Sequence, residues 1–517
     1  MKTFAPGKDA PLEQTISTID FLLKQLGFEI EKVGWKNPIP NVWSVIIRDK
    51  NQKHLFANGK GTCKKAALAS AMGEFVERLA TGYFYSDYYL GNKKFYLQDD
   101  KFLPFNSKKI LTNKLWKFYD PDNELKPENL IDINSANIKN RIRCLPFVSL
   151  LTNKKVFFPI NLLDNLYASN GMAVGNTRSE AVSQALSEII ERYVKFKIIS
   201  EEICLPDIPK KYYNKNPIIT RAIKIIKNAG YELLLKDASL GGEFPVVNIT
   251  LLNPKEGSCL AAFGAHPQFQ IAMERTLTEL LQGRSLKDFS GLEEPSFDSG
   301  AVADYINLEN HFIDSTGIIS WKFFNKFSDY DFQYWNFDDT TENEVVFLKK
   351  IINDLGFDIF IYQFDFFGIY VCRIVVPGMS EIYPIDDLIY NNKNEGIFFR
   401  KDILNYNKLS VGNLKKLLDK LDAENLNVQR NLTEFLGIPP NHKSELADLT
   451  IGELKLMLAL KIKDYERALD YFHTGLSLEQ FDEKKRKKYK TLKINLNMEV
   501  LTDYNIADYE WILKKIH

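Results

Sequence analysis

The stretch Gly61–Arg78, GTCKKAALASAMGEFVER, is matched without a gap by Gly175–Arg192, GNTRSEAVSQALSEIIER. Both copies keep the opening glycine, two alanines, two glutamates three residues apart and the closing arginine. A shorter and more diverged copy lies at Ala272–Gln282, AMERTLTELLQ. Self-similarity of this kind indicates that one supersecondary unit is used three times. The repeat therefore predicts three related helices within one fold.

Each copy predicts a helix with a polar face and an opposite apolar face. At 3.6 residues per turn, Ser70, Glu74 and Glu77 fall within about 60° of one another. The second copy places on this face Glu180, Gln184, Ser187, Glu188 and Glu191, and the third places Arg275, Glu279 and Gln282. A solvated face usually mixes lysine with glutamate four residues apart, because that pairing is weakly stabilising. The unmixed acidic stripe, present twice, favours a functional face over three ordinary amphipathic helices.

If the three helices meet, their glutamates share one cavity: Glu74, Glu77, Glu180, Glu188, Glu191 and Glu279. Two carboxylates about 4 Å apart repel by roughly 4 kcal/mol at an effective dielectric constant near 20. Cations must offset this repulsion, and carboxylates without Cys or His suit Mg²⁺, which pairs a few carboxylates with substrate phosphates. Arg192 and Arg275 would then hold the phosphates. The sequence predicts a site for a Mg²⁺-bound nucleotide.

The motifs SxxxExxER at Ser70, QxxSExxER at Gln184 and RTxxE at Arg275, with the opening FAPGKDAPLEQTI, resemble the YcaO family. The similarity runs almost from end to end, through PNVWSVIIRDK, LYASNGMAVGNTRSEA and FGAHP. The resemblance implies binding of ATP and Mg²⁺ in a fold without a P-loop. It also implies that the protein is a homodimer. The implied function is that of an accessory factor that acts with a radical methylthiotransferase on a small-subunit ribosomal protein.

The resemblance also assigns roles to residues of this chain. The implied Mg²⁺ ligands are Glu74, Glu77, Glu188, Glu191 and Glu279, with Glu180 as a further acid of the same site. The implied ATP contacts are Lys8, Thr15, Ser70, the backbone of Ala173, Asn176, Gln184, Ser187, and the phosphate-binding Arg192 and Arg275. The chain ends in WILKKIH and lacks the proline-rich tail of the azoline-forming members.

Two functions follow from this pattern. In the first, the protein is a nucleotide-dependent accessory module whose C-terminal helices bind a partner, which the missing tail favours. In the second, it is a stand-alone enzyme that hydrolyses ATP and transfers the phosphoryl group to a backbone amide oxygen, as in azoline or thioamide formation. The intact acid set favours retained turnover.

Other site motifs are weak or absent. There is no GxxxxGK[ST], no GxGxxG after a strand, no CxxC and no HExxH. The glycine-rich segment 58–62 has two interpretations: an anion-binding loop, or a plain turn with a helix N-cap. His266, within FGAHP, is more consistent with a structural turn histidine than with a functional one. Five cysteines, an odd number, indicate a reduced, cytoplasmic protein.

Composition and periodicity predict the domain organisation. Lys plus Arg and Asp plus Glu are both 67, so the zero net charge gives no indication of direct nucleic-acid binding, and no apolar run is long enough to span a membrane. Strand patterns at Asn41–Arg48, Pro245–Leu252 and Ile369–Val376 predict a mixed α/β (α+β) core with the three acidic helices on β-sheet over residues 1–390. After a polar linker at 391–396, residues 397–517 are predicted to form an all-helical, tetratricopeptide-like domain. Its Lys484–Lys488 run is read as a solvated helix end or, as the alternative, a ribosome or RNA contact.

Overall fold

The computed structural model describes residues 2–53, 55–85, 99–132, 141–287, 289–424, 426–437 and 449–477, and the Lys484–Lys488 run lies outside them. The chain divides into two compact units. The first comprises Met1–Tyr83, Leu97–Leu125 and Cys144–Tyr390, and the second comprises Phe84–Tyr96, Lys126–Arg143 and Asn391–His517.

The strands are, in chain order, β1 (Ile30–Ile39), β2 (Val42–Asp49), β3 (Phe56–Gly61), β4 (Lys101–Leu103), β5 (Ile142–Ser149), β6 (Lys155–Pro159), β7 (Met172–Gly175), β8 (Glu232–Asp237), β9 (Val246–Asn253), β10 (Ser258–Ala265), β11 (Phe360–Phe366) and β12 (Ile369–Val375). The predicted strands correspond to β2, β9 and β12. The first two are displaced by one residue at both ends, and the third is one residue too long.

The helices are α1 (Leu12–Gln25), α2 (Lys64–Ala80), α3 (Asn113–Tyr119), α4 (Ile160–Leu166), α5 (Arg178–Ser200), α6 (Lys210–Tyr213), α7 (Pro217–Asn228), α8 (Phe269–Leu280), α9 (Ser299–Ala303), α10 (Tyr305–Ile313), α11 (Thr341–Asp354), α12 (Ile397–Leu404), α13 (Val411–Ala423), α14 (Leu432–Leu436), α15 (Ile451–Lys461) and α16 (Tyr465–Ser477). Short 3-10 turns occur at Tyr83–Tyr85, Pro127–Leu130, Trp321–Phe324, Ile385–Leu388 and Tyr406–Lys408.

The strands of the described residues form three sheets. One has the order β1-β2-β3, one has the order β10-β9-β8, and the third has the order β4-β5-β11-β12-β7, with β6 also pairing with β5. Helix α2 packs on β2 and β3, α8 packs on β9 and β10, and α5 packs on β7, β12 and β10. The mixed α/β core with three repeated helices on β-sheet is therefore confirmed.

Each repeated helix follows directly after a strand and lies very close to it. A Cβ atom on Gly59 of β3 would lie 2.1 Å from the carbonyl oxygen of Ala67, and one on Gly264 of β10 would lie 2.4 Å from Oγ1 of Thr276. Only glycine allows this direct approach of strand backbone to helix. The glycines of the 58–62 segment thus serve helix packing on a strand. Residues 58–61 belong to β3 rather than to a turn, and Cys63 is the N-cap of α2. An anion-binding role of this segment stays a prediction.

The apolar faces of the repeated helices form the core of the first unit. Phe75 of α2, Leu186 of α5 and Leu277 of α8 are fully buried. Burying one such side chain stabilises a fold by about 1.5–3 kcal/mol. The third copy is shorter than its pattern predicts, because α8 ends at Leu280 and Gln282 lies in the turn that follows.

Where the structure describes the second unit after residue 396, its regular elements are the helices α12 to α16 and one 3-10 turn. Helix α15 packs on α13 and α16, and most of its residues are buried. The segment predicted as a polar linker is held inside this unit: Asn394 is 4% exposed, and its Nδ2 donates to the carbonyl oxygens of Glu128 and Ile131 at 3.0 and 2.7 Å. The tetratricopeptide-like character of these helices stays a prediction.

No helix in the described ranges combines the length and the apolar character needed to cross a bilayer.

Candidate functional site

The acidic faces of α2, α5 and α8 meet around one lysine of β3. The Nζ of Lys60 forms an ion pair with Glu279, and its ammonium is attracted by Glu191, Glu74 and Glu188. A single side chain is thus within electrostatic reach of carboxylates from all three helices. The repeat pattern predicted this convergence from the sequence.

These carboxylates, with the cations beside them, are termed here the recess, and the carboxylate side chains are partly exposed to solvent. Their exposed fractions are 33% for Glu74, 15% for Glu77, 23% for Glu188 and 28% for Glu279. Burial raises the pKa of Glu77 well above its ordinary value; Arg78 opposes this shift, and Glu188 and Glu74 add to it. Burial also raises the pKa of Glu188, against the attraction of Arg192 and Arg78. Burial thus makes the ionised forms of Glu77 and Glu188 less stable than they are in water, despite the nearby arginines.

Two arginines at equivalent repeat positions border the recess. Arg78 lies 3.4 Å from Oε1 of Glu77 and 3.9 Å from Oε1 of Glu74, and Arg192 lies 3.9 Å from Oε1 of Glu188. Nη1 of Arg192 also donates to the carbonyl oxygen of Phe312 at 2.8 Å. Within the described residues, the buried Nε of Arg192 and the buried Oγ of Ser187 have no hydrogen-bond partner. Buried polar atoms of this kind are usually satisfied by a ligand or by water.

Arg275 of α8 lies beside the same acids. Burial lowers the pKa of its guanidinium, while Glu191 and Glu344 oppose that shift. Nη1 of Arg275 donates to the carbonyl oxygen of Ala265 at 3.4 Å. A partly buried guanidinium with one long hydrogen bond suits an anionic ligand.

A second group of predicted residues surrounds Glu180 at the start of α5. Nζ of Lys8 lies 3.1 Å from Oε1 of Glu180, and Nδ2 of Asn176 donates to Oε2 at 2.9 Å. Oγ1 of Thr15 donates to Oδ1 of Asn176 at 2.9 Å. Burial opposes ionisation of Glu180, but Lys8, Asn176 and the backbone of Asp9 outweigh it, so its pKa is lowered. Glu180 thus already has its cation.

The remaining predicted residues occupy less decisive positions. Ser70 is exposed on α2, and Gln184 is half-buried on α5. Ala173 is fully buried on β7, where it pairs with Cys372 of β12. His266 is buried, and its Nδ1 accepts a hydrogen bond from the backbone N–H of Gln268 at 3.0 Å. Burial and Arg275 hold its pKa well below the ordinary value, so the ring is neutral, as a structural turn histidine requires.

Several residues of the recess escape the sequence interpretation. Arg78 could have been found, because it stands at the repeat position of Arg192. Lys60 could not, since it lies on a strand and no repeat marks it. Lys195 and Glu344 of α11 carry no motif either. Burial and the charge of Arg192 lower the pKa of Lys195 to about 7.

The donor set fits a hard divalent cation. Within the ranges that the structure describes, no three His, Cys, Asp or Glu side chains converge at metal-ligand spacing. In this arrangement Lys60, Arg78 and Arg192 instead supply cationic charge to the glutamates. The set nevertheless consists of carboxylates alone, which suits Mg²⁺, and the raised pKa values of Glu77 and Glu188 show that further positive charge would be stabilising.

Comparison with known proteins decides the family. Residues 58–380 match the family model of the YcaO cyclodehydratase domain, described as ATP- and Mg²⁺-binding. This chain belongs to the YcaO family. Residues 396–517 match the C-terminal domain of YcaO cyclodehydratases. The ATP- and Mg²⁺-binding domain contains all three acidic helices, and the resemblance drawn from the motifs is confirmed.

Two YcaO relatives are similar over most of their length. The ribosomal protein S12 methylthiotransferase accessory factor YcaO of Escherichia coli is 46% identical over 480 residues, covering 90% of this chain and 82% of that protein. A Haemophilus influenzae protein of uncharacterised function is 42% identical over 534 residues, covering 100% of this chain and 90% of that protein.

Solved structures with similar folds were also found. YcaO from Methanopyrus kandleri bound with AMPPCP and Mg²⁺ is 19% identical, with a TM-score of 0.47, and the match covers 74% of this chain and 94% of that one. A heterocyclase in complex with substrate and cofactor is 17% identical, with a TM-score of 0.48, and the match covers 75% and 56%.

Proposed function

We propose that this protein binds ATP and Mg²⁺ in the recess between α2, α5 and α8 and acts as an accessory factor. In this role it potentiates β-methylthiolation of a small-subunit ribosomal protein by a radical methylthiotransferase. The observation that carries the nucleotide site is the cluster of partly exposed glutamates with raised pKa values, bordered by arginines. The accessory role is supported by the name of the Escherichia coli relative.

Each part of the recess has a proposed task. The metal ligands are Glu74, Glu77, Glu188, Glu191 and Glu279. When bound, Mg²⁺ would polarise the ATP phosphates and neutralise part of their charge. Arg192 and Arg275 bind phosphate oxygens. Both side chains are partly buried, and within the described residues Nε of Arg192 has no hydrogen-bond partner. Lys8, Thr15 and Asn176 contact the nucleotide from the Glu180 end.

A stand-alone enzyme that activates a backbone amide is the second candidate. The specific observation in its favour is that the acids and arginines of both long repeats are retained in one recess. A binding module that only senses nucleotide would need fewer charged groups. In this candidate, the amide oxygen attacks the terminal phosphoryl group of ATP, and ADP leaves as the phosphorylated amide forms.

The assembly is proposed as a homodimer in the cytoplasm. Its proposed partners are the methylthiotransferase and the ribosomal protein. Sedimentation of the purified chain, alone and with each protein, tests these contacts.

ATP hydrolysis separates the two candidates. For an accessory factor, we expect weak hydrolysis by the protein alone and at least a severalfold rise when both partners are present. For the stand-alone enzyme, we expect hydrolysis with a peptide substrate alone and a mass change in that peptide. The Glu188→Gln variant is the negative control in both assays. A wild-type protein that binds no ATP in calorimetry would refute both candidates.

A further inference from the structure

Residues 3–10, termed here the arm, precede α1 and carry Lys8. The carboxylate of Asp9 accepts hydrogen bonds from the hydroxyls of Thr177 and Thr341, the latter at 3.0 Å to Oδ2. Thr177 is the N-cap of α5, and Thr341 is the first residue of α11. The N-terminal ends of helices favour negative charge, so two helix ends stabilise the same carboxylate. This arrangement clamps the arm between α5 and α11.

Asp9, which forms the clamp, is next to Lys8 in the chain, and both residues contact Glu180. The backbone N–H of Asp9 donates to Oε2 of Glu180 at 3.1 Å, while Nζ of Lys8 lies 3.1 Å from Oε1. Fixing the Asp9 backbone therefore fixes the direction in which the Lys8 side chain leaves the arm.

The ion pair alone is a weak restraint on the Lys8 side chain. Its partner Glu180 is buried, but the Lys8 side chain is 32% exposed, and solvent weakens an ion pair whose ammonium group it reaches. A flexible lysine also loses rotamer freedom when it is ordered. The two threonine hydrogen bonds of Asp9 are charge-assisted and thus stronger than neutral ones.

We propose that Asp9 is a positioning residue that holds Lys8 at the nucleotide site through Thr177 and Thr341. This inference rests on the proposed function, because Lys8 is a nucleotide contact only if ATP binds in the recess. Asp9 itself contacts no nucleotide. Its effect on ATP binding is transmitted through the position of Lys8.

The first test measures the clamp without nucleotide. Hydrogen exchange of the arm amides is compared between wild type, Asp9→Asn and Asp20→Asn. Asp20 is the matched control, because it is an exposed aspartate of α1 paired only with Lys24 among the described residues. We expect the backbone amide at position 9 to exchange at least fivefold faster in Asp9→Asn and at the wild-type rate in Asp20→Asn. Unchanged exchange in Asp9→Asn would overturn the proposal.

The second test measures the transmission to the site. We expect Asp9→Asn to weaken ATP binding about threefold to tenfold in calorimetry. In the Lys8→Ala background, the same substitution should change affinity less than twofold, because the residue it positions is gone. An equal loss in both backgrounds would mean that Asp9 supports the fold generally and would overturn the proposal.

Thr341→Val provides an independent probe of the same clamp. Valine keeps the shape of the side chain and removes the hydroxyl, whereas Thr177→Val would also remove the N-cap of α5. We expect Thr341→Val to reproduce a weaker form of the Asp9→Asn effect, again only when Lys8 is present. If the wild type binds no ATP, the proposed function fails, and the exchange experiment alone decides whether the clamp exists.

Discussion

Two glutamates of α5, about two helical turns apart, have pKa values shifted in opposite directions. At the start of the helix, Lys8, Asn176 and the backbone of Asp9 lower the pKa of Glu180 despite its burial. Further along, burial raises the pKa of Glu188, although Arg192 and Arg78 are near. The chain supplies the positive charge and hydrogen bonds that Glu180 needs. It does not fully supply them for Glu188.

This difference separates a carboxylate that is paired within the chain from one that is proposed as a metal ligand, although both lie in one stripe. Sequence periodicity places both residues on the same face and cannot separate them. The electrostatic surroundings can, because a carboxylate with a raised pKa gains most from an added cation. Glu180 is thus better understood as the anchor of Lys8 and the arm, and Glu188 as a metal ligand.

The largest effect on Mg²⁺-ATP binding should come from substituting Glu188, the glutamate of α5 with the raised pKa. Glu188→Gln should weaken Mg²⁺-ATP binding at least tenfold, which corresponds to about 1.4 kcal/mol, because an isosteric neutral group replaces a proposed ligand. Glu201→Gln is the matched control, since Glu201 lies at the exposed C-terminal end of the same helix. Calorimetry giving wild-type affinity for Glu188→Gln would remove the recess from consideration as the metal site.

A second experiment separates phosphate binding from metal binding. Arg275→Ala should weaken ATP binding about tenfold and leave Mg²⁺ binding without nucleotide nearly unchanged, because the guanidinium is proposed to bind phosphate oxygens and is not a metal ligand. Glu77→Gln should weaken both. If Arg275→Ala binds ATP as well as the wild type does, the third repeat does not take part in nucleotide binding.

A smaller effect concerns stability and pH in the absence of Mg²⁺ and nucleotide. The pKa of Glu77 lies well above the ordinary value of 4.5 in the folded protein. Its contribution to the free energy of unfolding is therefore fully present below pH 4.5 and is lost as pH rises through the raised pKa. Glu77→Gln removes this loss, so it should be more stable than the wild type by about 1 kcal/mol at about pH 8 and indistinguishable near about pH 4. Thermal unfolding across this range checks the sign, and a variant less stable at the higher pH would contradict it.

The smallest effect on ATP binding is expected from removing the C-terminal helices. A chain ending at Tyr390 should retain ATP affinity within about twofold, because every proposed ligand precedes that residue, and it should lose partner or self-association. Hydrogen exchange should rise in residues 126–132, which belong to the second unit and lose the hydrogen bonds of Asn394. A truncated protein that stays dimeric and loses ATP would place the active site partly in the C-terminal helices.

The sequence was sufficient for features that repeat. The spacing of Glu74, Glu188 and Glu279 predicted three helices with one functional face, and the strand patterns were correct to within one residue. It was not sufficient for Lys60 and Glu344, because each enters the recess from an element outside the repeat. It also placed Asn394 in a solvated linker, because composition shows polarity but not the backbone carbonyl groups that a buried amide can satisfy.

The close contact between strand and helix limits how this recess can vary. A Cβ atom on Gly59 would meet the backbone of Ala67 and Ala71, and one on Gly264 would meet both Oγ1 and the backbone nitrogen of Thr276. Backbone atoms therefore limit the spacing between strand and helix at both positions. Glu74 and Glu279 each stand three residues beyond the helix residue at that contact, Ala71 and Thr276. The distance of these carboxylates from the sheets is therefore determined by the packing of the main chain. Core side chains elsewhere in these helices can therefore be substituted without moving the glutamates. The same helices can tolerate mutation in the core and still keep the positions of the acids.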